Sequence, residues 1–302
     1  MYKLQKYRGP STRHTCPSCG RNKCFAYYVD ESGMPLLADG DVESTCGRCD
    51  HENSCGYHLK PREWMSAHPD FKRSASSPIP VIRMPKLCTI DSSCLTLYRS
   101  NESALVMYLN SKFNRQSVES VCEDYRMGAL LGGRTVFWQI DDQGRCRTGK
   151  VIDYDHYGHR IKGEQDRITW MHTLLKMDGM LPDDWELSQC LFGAHLLAKY
   201  PDKSVCLVES EKTALIGAIF EPNGVWLATG GKNGLSGEKM ATLKGRRIFV
   251  YPDADAMDEW REKIDGMKHL YDMRIPNVDL LNYSADDVAN KCDIADLILR
   301  MV

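Results

Sequence analysis

Two Cys-x-x-Cys pairs near the start of the chain constrain its fold more than any other feature. They are Cys16-Pro-Ser-Cys19 and Cys46-Gly-Arg-Cys49, and 26 residues separate Cys19 from Cys46. Two intervening residues let both thiolates of a tight turn face one ion, and two such turns complete the four-sulfur shell that Zn²⁺ prefers. The spacing therefore predicts a zinc β-ribbon at residues 1–60. The predicted ligands of this structural zinc ion are Cys16, Cys19, Cys46 and Cys49.

Two alternatives to this ligand set remain open at the level of sequence. A redox Cys-x-x-Cys would place one pair at the start of a helix in a thioredoxin-like unit, whereas here two pairs flank short apolar runs. A neighbouring side chain could also replace one of the four ligands, although buried or local roles are the commoner use of such residues. The neighbours in question are Cys24, His51, Cys55 and His58.

Composition favours a metal-binding protein of the cell interior over a secreted or membrane protein. The chain has 13 cysteines, but its N-terminus lacks the apolar segment of a signal peptide, which favours metal ligation over disulfides. No run of 18 apolar residues indicates a membrane span. We therefore expect a cytoplasmic protein without membrane partners.

Charge and aromatic residues of the first segment favour nucleic-acid binding. Residues 1–86 carry 13 Lys and Arg against 9 Asp and Glu, whereas the remainder carries an acidic excess. Basic groups interleaved with aromatic rings suit single-stranded DNA or RNA, through phosphate contact and base stacking. Arg21 and Arg48 are the predicted phosphate contacts, although the aromatic residues Phe25, Tyr27 and Tyr28 are also suited to fill a small core.

The order of patterns along the chain predicts a multidomain protein of mixed α+β and α/β class. Residues 61–86, whose later part is rich in Pro and Ser, are interpreted as a linker. Residues 87–202 combine a helical stretch with a β-meander around the turn at Asp141–Gly144. Residues 203–302 alternate between strand and helix, which is typical of a mostly parallel sheet with helices on both faces.

Carboxylates follow two apolar strands of this C-terminal region. Glu209 ends the run SVCLVE, and Asp253 and Asp255 follow the run RIFVY. Ligand sites of parallel sheets gather at the carboxyl ends of strands, and carboxylate oxygens are the ligands that Mg²⁺ and Mn²⁺ prefer. If the strands are neighbours and the Asp-Ala-Asp segment is extended, these three acids converge on one divalent metal ion. Capping of helices is the competing interpretation.

These motifs resemble those of Toprim-domain primases. VCLVESEKTAL is similar to the first Toprim motif, RRIFVYPDADA to the second, and CDIADLIL to the closing stretch, in which Asp296 matches an acid. A zinc ribbon, a linker and an α/β core follow one another in the same order in bacterial and phage primases. The segments RTGKVIDYD, QCLFGAHLL and WLATGGKNGL also resemble uncharacterised Toprim-like proteins of Bacteroides-type mobile elements.

The resemblance implies a primase-like function in a mobile element. It implies metal-dependent nucleotidyl transfer on a single-stranded template, with Glu209, Asp253 and Asp255 at the catalytic site, nucleotides as substrates, and a helicase or other replication protein as a partner. Ser210 and Thr213 depart from the family pattern, which has Gly and, in some primases, an acid there. That departure keeps open a catalytically inactive nucleic-acid-binding module, and the same acids would also suit a metal-dependent nuclease.

Four further basic residues are candidates for phosphate contact. Lys212 lies in the first turn of the helix after Glu209, where backbone amides add to its charge. Lys232 lies in the glycine-rich loop GGKNG, whose amides could cradle a phosphate. Arg134 and Lys150 lie in the meander and could line a channel for the template, although charges of this kind more often mark a solvated strand face.

Overall fold

The structure, a computed structural model, forms two compact units, Met1–Lys86 and Leu87–Val302. It describes residues 2–9, 12–31, 33–37, 43–69, 87–100, 102–162, 168–231, 234–235, 237–278 and 281–302. Most of the predicted linker, residues 70–86, and the candidate Lys232 therefore lie outside the described residues.

The first unit is a four-stranded antiparallel sheet with two short helices. The strands pair in chain order, β1 to β4. They are β1 (Lys3–Leu4), β2 (Phe25–Val29), β3 (Gly47–Cys49) and β4 (His58–Leu59), with helix α1 (Glu52–Cys55) between β3 and β4 and helix α2 (Pro61–Ala67) after them.

Helix α2 extends the first unit past the boundary at residue 60 that the sequence suggests. Pro61 occupies the first helical position, and the Glu63 carboxylate accepts a hydrogen bond from the Lys60 amide, 3.1 Å away. Trp64 is buried and packs with Leu36 and Cys46. A buried tryptophan belongs to the core of a unit, so residues 61–67 are part of the ribbon unit instead of a linker.

The second unit contains an antiparallel meander and a parallel sheet, which confirms the predicted mixed class. In the meander, β5 (Gly128–Leu130), β6 (Arg134–Ile140), β7 (Cys146–Ile152) and β8 (Thr169–Trp170) pair in chain order. The second sheet has the order β10-β9-β11-β12, and all of its pairs are parallel. Its strands are β9 (Val205–Val208), β10 (Val225–Ala228), β11 (Arg247–Val250) and β12 (Asp272–Arg274).

Ten helices of the described part of this unit surround and connect the two sheets. The helical stretch predicted within residues 87–202 includes two helices, α4 (Ala104–Lys112) and α5 (Arg115–Asp124), because the chain turns at Asn114, whose side chain caps α5. The helices are α3 (Ser93–Leu97), α4 (Ala104–Lys112), α5 (Arg115–Asp124), α6 (Met171–Met177), α7 (Leu196–Lys199), α8 (Glu211–Phe220), α9 (Gly237–Met240), α10 (Met257–Met267), α11 (Ala285–Ala289) and α12 (Ile294–Leu299).

Strand β6 is buried on both faces and joins the two apolar clusters of the second unit. Phe137 packs in the cluster that contains the parallel sheet, whereas Val136 and Trp138 pack in a second cluster under the meander. Side chains of a strand alternate between faces, so neighbouring residues supply the two cores. A Cβ at Gly149 would lie 2.9 Å from Trp138, so only glycine fits beside this ring.

Candidate functional site

Four cysteines of the first unit converge at one point. The sulfurs of Cys16, Cys19, Cys49 and Cys55 all lie within 4.8 Å of one another. The Cys16 and Cys55 sulfurs are 3.7 Å apart. A tetrahedral zinc ion with Zn–S bonds near 2.3 Å holds its sulfurs about 3.8 Å apart, so the donor set fits Zn²⁺ in number, chemistry and spacing. Four thiolates leave no open position, which makes this a structural zinc site.

The first cysteine pair forms the tight turn that its spacing predicts. The Cys16 amide donates to the Arg21 carbonyl, and the Gly20 amide donates to the Cys16 carbonyl, each at 2.9 Å. Gly20 adopts a φ of +68°, a conformation that costs glycine least. A backbone hydrogen bond from Arg21 lowers the pKa of the exposed Cys19 thiol to about 7. A thiol of this kind is readily available as a thiolate ligand.

Of the second pair, only Cys49 belongs to the thiol cluster. Cys46, which the spacing predicts as a ligand, lies outside it. The segment between them is strand β3, in which residues three positions apart face opposite sides of the sheet. Cys49 packs on the side of Phe25 and Tyr27, whereas Cys46 packs with Trp64. Burial raises the pKa of Cys46 to about 12. The fourth ligand position belongs to Cys55 instead, which helix α1 returns to the cluster.

A fifth thiol lies beside the cluster. The Cys24 sulfur is 3.9 Å from the Cys49 sulfur, and its S–H donates to the Arg21 carbonyl at 3.1 Å. Burial raises the pKa of Cys24. Cys24 is therefore a buried neighbour of the site that satisfies its own donor within the turn.

The ribbon's rings and cations divide between core and surface. Phe25 and Tyr27 are buried, which is the core role that the sequence left open for them. Arg21 is exposed, while Arg48 lies 3.8 Å from the Glu52 carboxylate and stays 40% exposed. An exposed pair of this kind holds its cation weakly. Phosphate contact by these two arginines stays a prediction.

The second unit places two of the three predicted acids at one edge of the parallel sheet. Glu209 follows β9 and Asp253 lies shortly after β11, and these strands are hydrogen-bonded neighbours. Their pairing continues past the strand ends, because the Tyr251 amide donates to the Leu207 carbonyl at 2.9 Å. Both acids are half-buried. The backbone therefore brings Glu209 and Asp253 to the same edge, as their strand-end positions imply.

Asp255 does not follow the extended geometry that the sequence argument required. Residues Ala254–Ala256 form a 3₁₀ turn, and the Ala256 amide donates to the Asp253 carbonyl. In a 3₁₀ turn, residues two apart point in different directions. The Asp255 carboxylate instead lies 3.2 Å from the Lys291 ammonium. Within the described ranges, the four thiols form the one group of three or more His, Cys, Asp or Glu whose ligand atoms converge within 4.8 Å.

Two hydroxyl residues stand where the Toprim pattern has Gly and an acid, and they form a hydrogen-bonded chain. The Ser210 oxygen accepts from the Thr213 amide and caps α8. The Ser210 and Thr213 hydroxyls are 2.7 Å apart, and Thr213 donates to the Asp293 carboxylate at 2.5 Å. Burial, followed by the nearby Asp296 charge, raises the pKa of Asp293. The two hydroxyl side chains therefore link the start of α8 to the start of α12.

A buried ion pair joins the meander to the start of α8. The Lys150 ammonium lies 3.0 and 3.2 Å from the two Glu211 oxygens and donates to the Gly230 carbonyl at 3.4 Å. The side chains are 12% and 2% exposed. Lys150, a predicted phosphate contact, thus has a structural partner in the protein. It also ties the loop after β10 to the segment that follows Glu209.

The other predicted phosphate contacts of this unit differ in availability. Arg134 pairs with Asp153 at 3.1 Å, and both side chains are largely covered. Lys212 is half-buried and donates to the Gly158 carbonyl at 3.2 Å. Lys212 therefore keeps an accessible side, whereas Arg134 is committed to an internal ion pair.

Sequence reasoning did not identify Glu211, Asp293 or Lys291 as members of this region. One sequence feature could have identified Glu211: it is an acid in the first turn of an otherwise apolar helix, and such an acid is buried when the helix is central. Asp293 had the pattern of a capping box with Asp296. No local sequence feature could have identified Lys291, because its partner Asp255 lies far away in sequence.

Among the described residues, no helix combines the length and apolarity that spanning a bilayer requires. Residues 1–70, which lie within the first unit, match the family described as "Zinc beta-ribbon finger, putative". A comparison with curated proteins gives no match.

Several solved structures show a distant likeness. The primase fragment of the bacteriophage T7 primase-helicase protein is 14% identical, with a TM-score of 0.38 over 96% of this chain and 99% of that one. The RNA polymerase domain of Mycobacterium tuberculosis primase DnaG is 14% identical, with a TM-score of 0.38 over 69% and 81%. The zinc-binding and RNA polymerase domains of Aquifex aeolicus primase are 13% identical, with a TM-score of 0.33 over 99% and 80%. At these scores the likeness supports no functional conclusion by itself.

A further family model matches residues 103–254, which is just over half of the 302 residues and covers the meander, β9 to β11 and the start of the Asp-Ala-Asp segment. The chain belongs to this family, which is described as "Domain of unknown function (DUF6371)".

Proposed function

We propose that this protein is a primase-like nucleotidyltransferase with a Toprim-type carboxylate site, acting on a single-stranded template. The observation that carries the proposal is the placement of Glu209 and Asp253 after neighbouring parallel strands, β9 and β11. The Toprim-like sequence around both acids supports the same assignment. Mobile-element replication is the setting that the resemblance implies.

The donor chemistry of this edge fits a hard divalent cation. Mg²⁺ is commonly held by one or two carboxylates together with water and substrate phosphates, so Glu209 and Asp253 suffice without a third converging acid. Bound Mg²⁺ or Mn²⁺ would supply charge neutralisation for a triphosphate. Asp255 would join them only if its ion pair with Lys291, which is 72% exposed, opened.

The proposed reaction joins a primer terminus to a nucleotide. A 3′-hydroxyl oxygen attacks the α-phosphorus of a nucleoside triphosphate, the new P–O bond forms, and pyrophosphate leaves. In this proposal Glu209, which is half-buried at the sheet edge, accepts the hydroxyl proton or acts as a metal ligand. The zinc ribbon's role is to contact the template through its exposed cations.

Two observations favour a second candidate, a nucleic-acid-binding module without catalysis. Thr213 replaces the acid found in some primases and hydrogen-bonds Asp293. Asp255 is paired with Lys291. Both features stabilise an arrangement that needs no metal ion, so template binding alone is compatible with them.

One assay separates these functions. Purified full-length protein is incubated with single-stranded template, nucleotides and Mg²⁺ or Mn²⁺, beside Asp253→Asn/Asp255→Asn and the surface control Asp258→Asn, whose side chain is 98% exposed. The proposal predicts short new oligonucleotides that fall by at least about 100-fold in the double variant and persist in the control. Salt-sensitive template binding without product supports the binding module. Template degradation supports a nuclease, and both of these outcomes contradict the primase assignment.

A further inference from the structure

A polar cleft of about 350 Å³ opens beside the start of α8. Its walls come from α4, the turn after the meander strand β7, the first turn of α8, and α12 with the loop before it. This size falls within the range of small-ligand sites, near its lower end. The side chains that matter for recognition are Tyr108, Tyr157, Lys212, Asp296 and Arg300.

Two cations are held in position at the cleft. The Lys212 ammonium donates to the Gly158 carbonyl at 3.2 Å, which orients it while an ammonium carries two further N–H donors. The Arg300 guanidinium lies 2.7 Å from the buried Asp287 carboxylate and 3.4 Å from the Cys292 sulfur, and 57% of its side chain stays exposed. Fixed cations of this kind suit a phosphate, since little side-chain entropy is lost when it binds.

The turn above the cleft is fixed by an aromatic contact. Gly158 has a φ of +74°, and a Cβ there would lie 2.4 Å from the Tyr108 ring, so the turn rests directly on that ring. The same turn presents Tyr157 at 62% exposure, with its ring centroid 3.7 Å from that of His156. An exposed ring on an anchored turn is a surface on which a flat heterocycle can stack.

Asp296 gives the cleft a mixed character. One Asp296 oxygen accepts from the Asp293 amide at 3.0 Å, which fixes the carboxylate in the cleft that the two cations also line. A carboxylate opposes a bare phosphate ion, but it can accept hydrogen bonds from sugar hydroxyls. A ligand that combines phosphate, hydroxyl groups and a ring therefore matches the cleft better than phosphate alone.

We propose that this cleft binds a nucleoside phosphate, with its phosphate on Lys212 and Arg300, its ribose hydroxyls towards Asp296 and its base on Tyr157. The inference rests on the proposed function only for the choice of a nucleotide as the ligand. The cleft would present a nucleotide close to Glu209, which precedes Lys212 by three residues at the end of β9.

The test is calorimetric titration of the full chain with ADP, adenosine and inorganic phosphate in buffer without added magnesium or manganese. ADP should bind more tightly than either fragment, and Lys212→Gln should weaken ADP binding by about tenfold through loss of a charge-assisted hydrogen bond. The control is Lys268→Gln, which removes an exposed lysine paired with Asp265 elsewhere and should bind ADP normally. Lys212→Gln with unchanged affinity, or no ADP binding at millimolar concentration, overturns the proposal.

A second variant guards against an indirect effect on folding. Tyr157→Ala removes only an exposed ring, and it should weaken ADP and adenosine while leaving phosphate unchanged. Equal weakening of phosphate overturns the proposed stacking. ADP binding by a wild-type protein that makes no primers would retain this site while rejecting the proposed reaction. Primer synthesis by a protein that binds no ADP would support the proposed reaction while rejecting this site.

Discussion

The thiol cluster of the ribbon and the carboxylate edge of the parallel sheet are both candidate metal sites, but their ligands are assembled differently. The thiols come from a turn, a strand and a short helix, and the described residues of the first unit form two small apolar clusters, around Phe25 and Trp64. The carboxylates follow strands whose positions the large core of the second unit already fixes. Metal is therefore expected to stabilise the fold of the first unit and to serve function in the second.

Removal of zinc should have the largest effect. Zinc binding contributes roughly 10–16 kcal/mol in small zinc-finger peptides, so a strong chelator should unfold Met1–Lys86 and leave Leu87–Val302 folded. Limited proteolysis followed by mass spectrometry would then show cleavage confined to the first unit. Cleavage spread over both units, or over neither, would contradict the contrast between the two sites.

Substitution of single cysteines sharpens the same contrast. Cys55→Ser should abolish stoichiometric zinc, whereas Cys46→Ser should retain it, because Cys46 lies on the opposite face of β3 among Trp64 and Leu36. Zinc content by mass spectrometry of the purified proteins is the measurement. Loss of zinc from Cys46→Ser with retention in Cys55→Ser would restore the ligand set inferred from spacing.

The second unit should depend strongly on its buried ion pair. Lys150→Met leaves the Glu211 carboxylate uncompensated at 2% exposure, which should cost about 3–5 kcal/mol of unfolding free energy. The matched control is Arg115→Met, since Arg115 is 82% exposed and pairs with Glu119 of its own helix. Urea unfolding of each protein checks the difference. A cost below about 1 kcal/mol for Lys150→Met would show that the pair is not buried in solution.

The hydroxyl chain between α8 and α12 should matter less. Thr213→Val keeps the shape of a buried residue and removes its bond to Asp293, for an expected cost of about 1–3 kcal/mol. Thr213→Ser retains the hydroxyl and serves as the control. Equal stability of the Thr213→Val and wild-type proteins in urea would show that these hydroxyl hydrogen bonds contribute nothing to the free energy of unfolding.

A modest pH dependence is expected where helix α6 packs on the meander. Burial lowers the pKa of His172 to about 4, and its Nδ1 lies 2.8 Å from the Thr148 hydroxyl. The folded form binds the proton less well than the unfolded form, so this contribution is complete above pH 6.5 and is lost as pH falls towards 4. His172→Gln should flatten the fall in melting temperature of the second unit between pH 7 and 5. An unchanged slope would contradict the assignment.

Several elements followed from sequence because local chemistry decides them. The apolar runs that became β9 and β11, the Ser210 cap of α8 and the turn at Cys16–Cys19 are of this kind. Strand β12 was missed, because Asp272–Arg274 is short and exposes two charged residues.

The errors share one physical origin. Cys46-Gly-Arg-Cys49 and Asp253-Ala-Asp255 were both assigned side-chain directions from spacing alone, whereas direction depends on whether the backbone is turned or extended. The first segment was expected to be a tight turn, but it runs into the extended strand β3. The second was expected to be extended, but it forms a 3₁₀ turn. The partners Cys55 and Lys291 depend on tertiary structure, which spacing does not encode.

Binding of Mn²⁺ tests most directly whether Glu209 and Asp253 form a divalent metal site. Electron paramagnetic resonance of the zinc-loaded chain, titrated with Mn²⁺ in the presence of a nucleoside triphosphate and template, counts bound ions. We expect one protein-dependent Mn²⁺ that is lost in Asp253→Asn and in Glu209→Gln and retained in Asp258→Asn. Wild-type protein that adds no bound Mn²⁺ beyond nucleotide and template alone, or variants that bind it equally, would contradict the account.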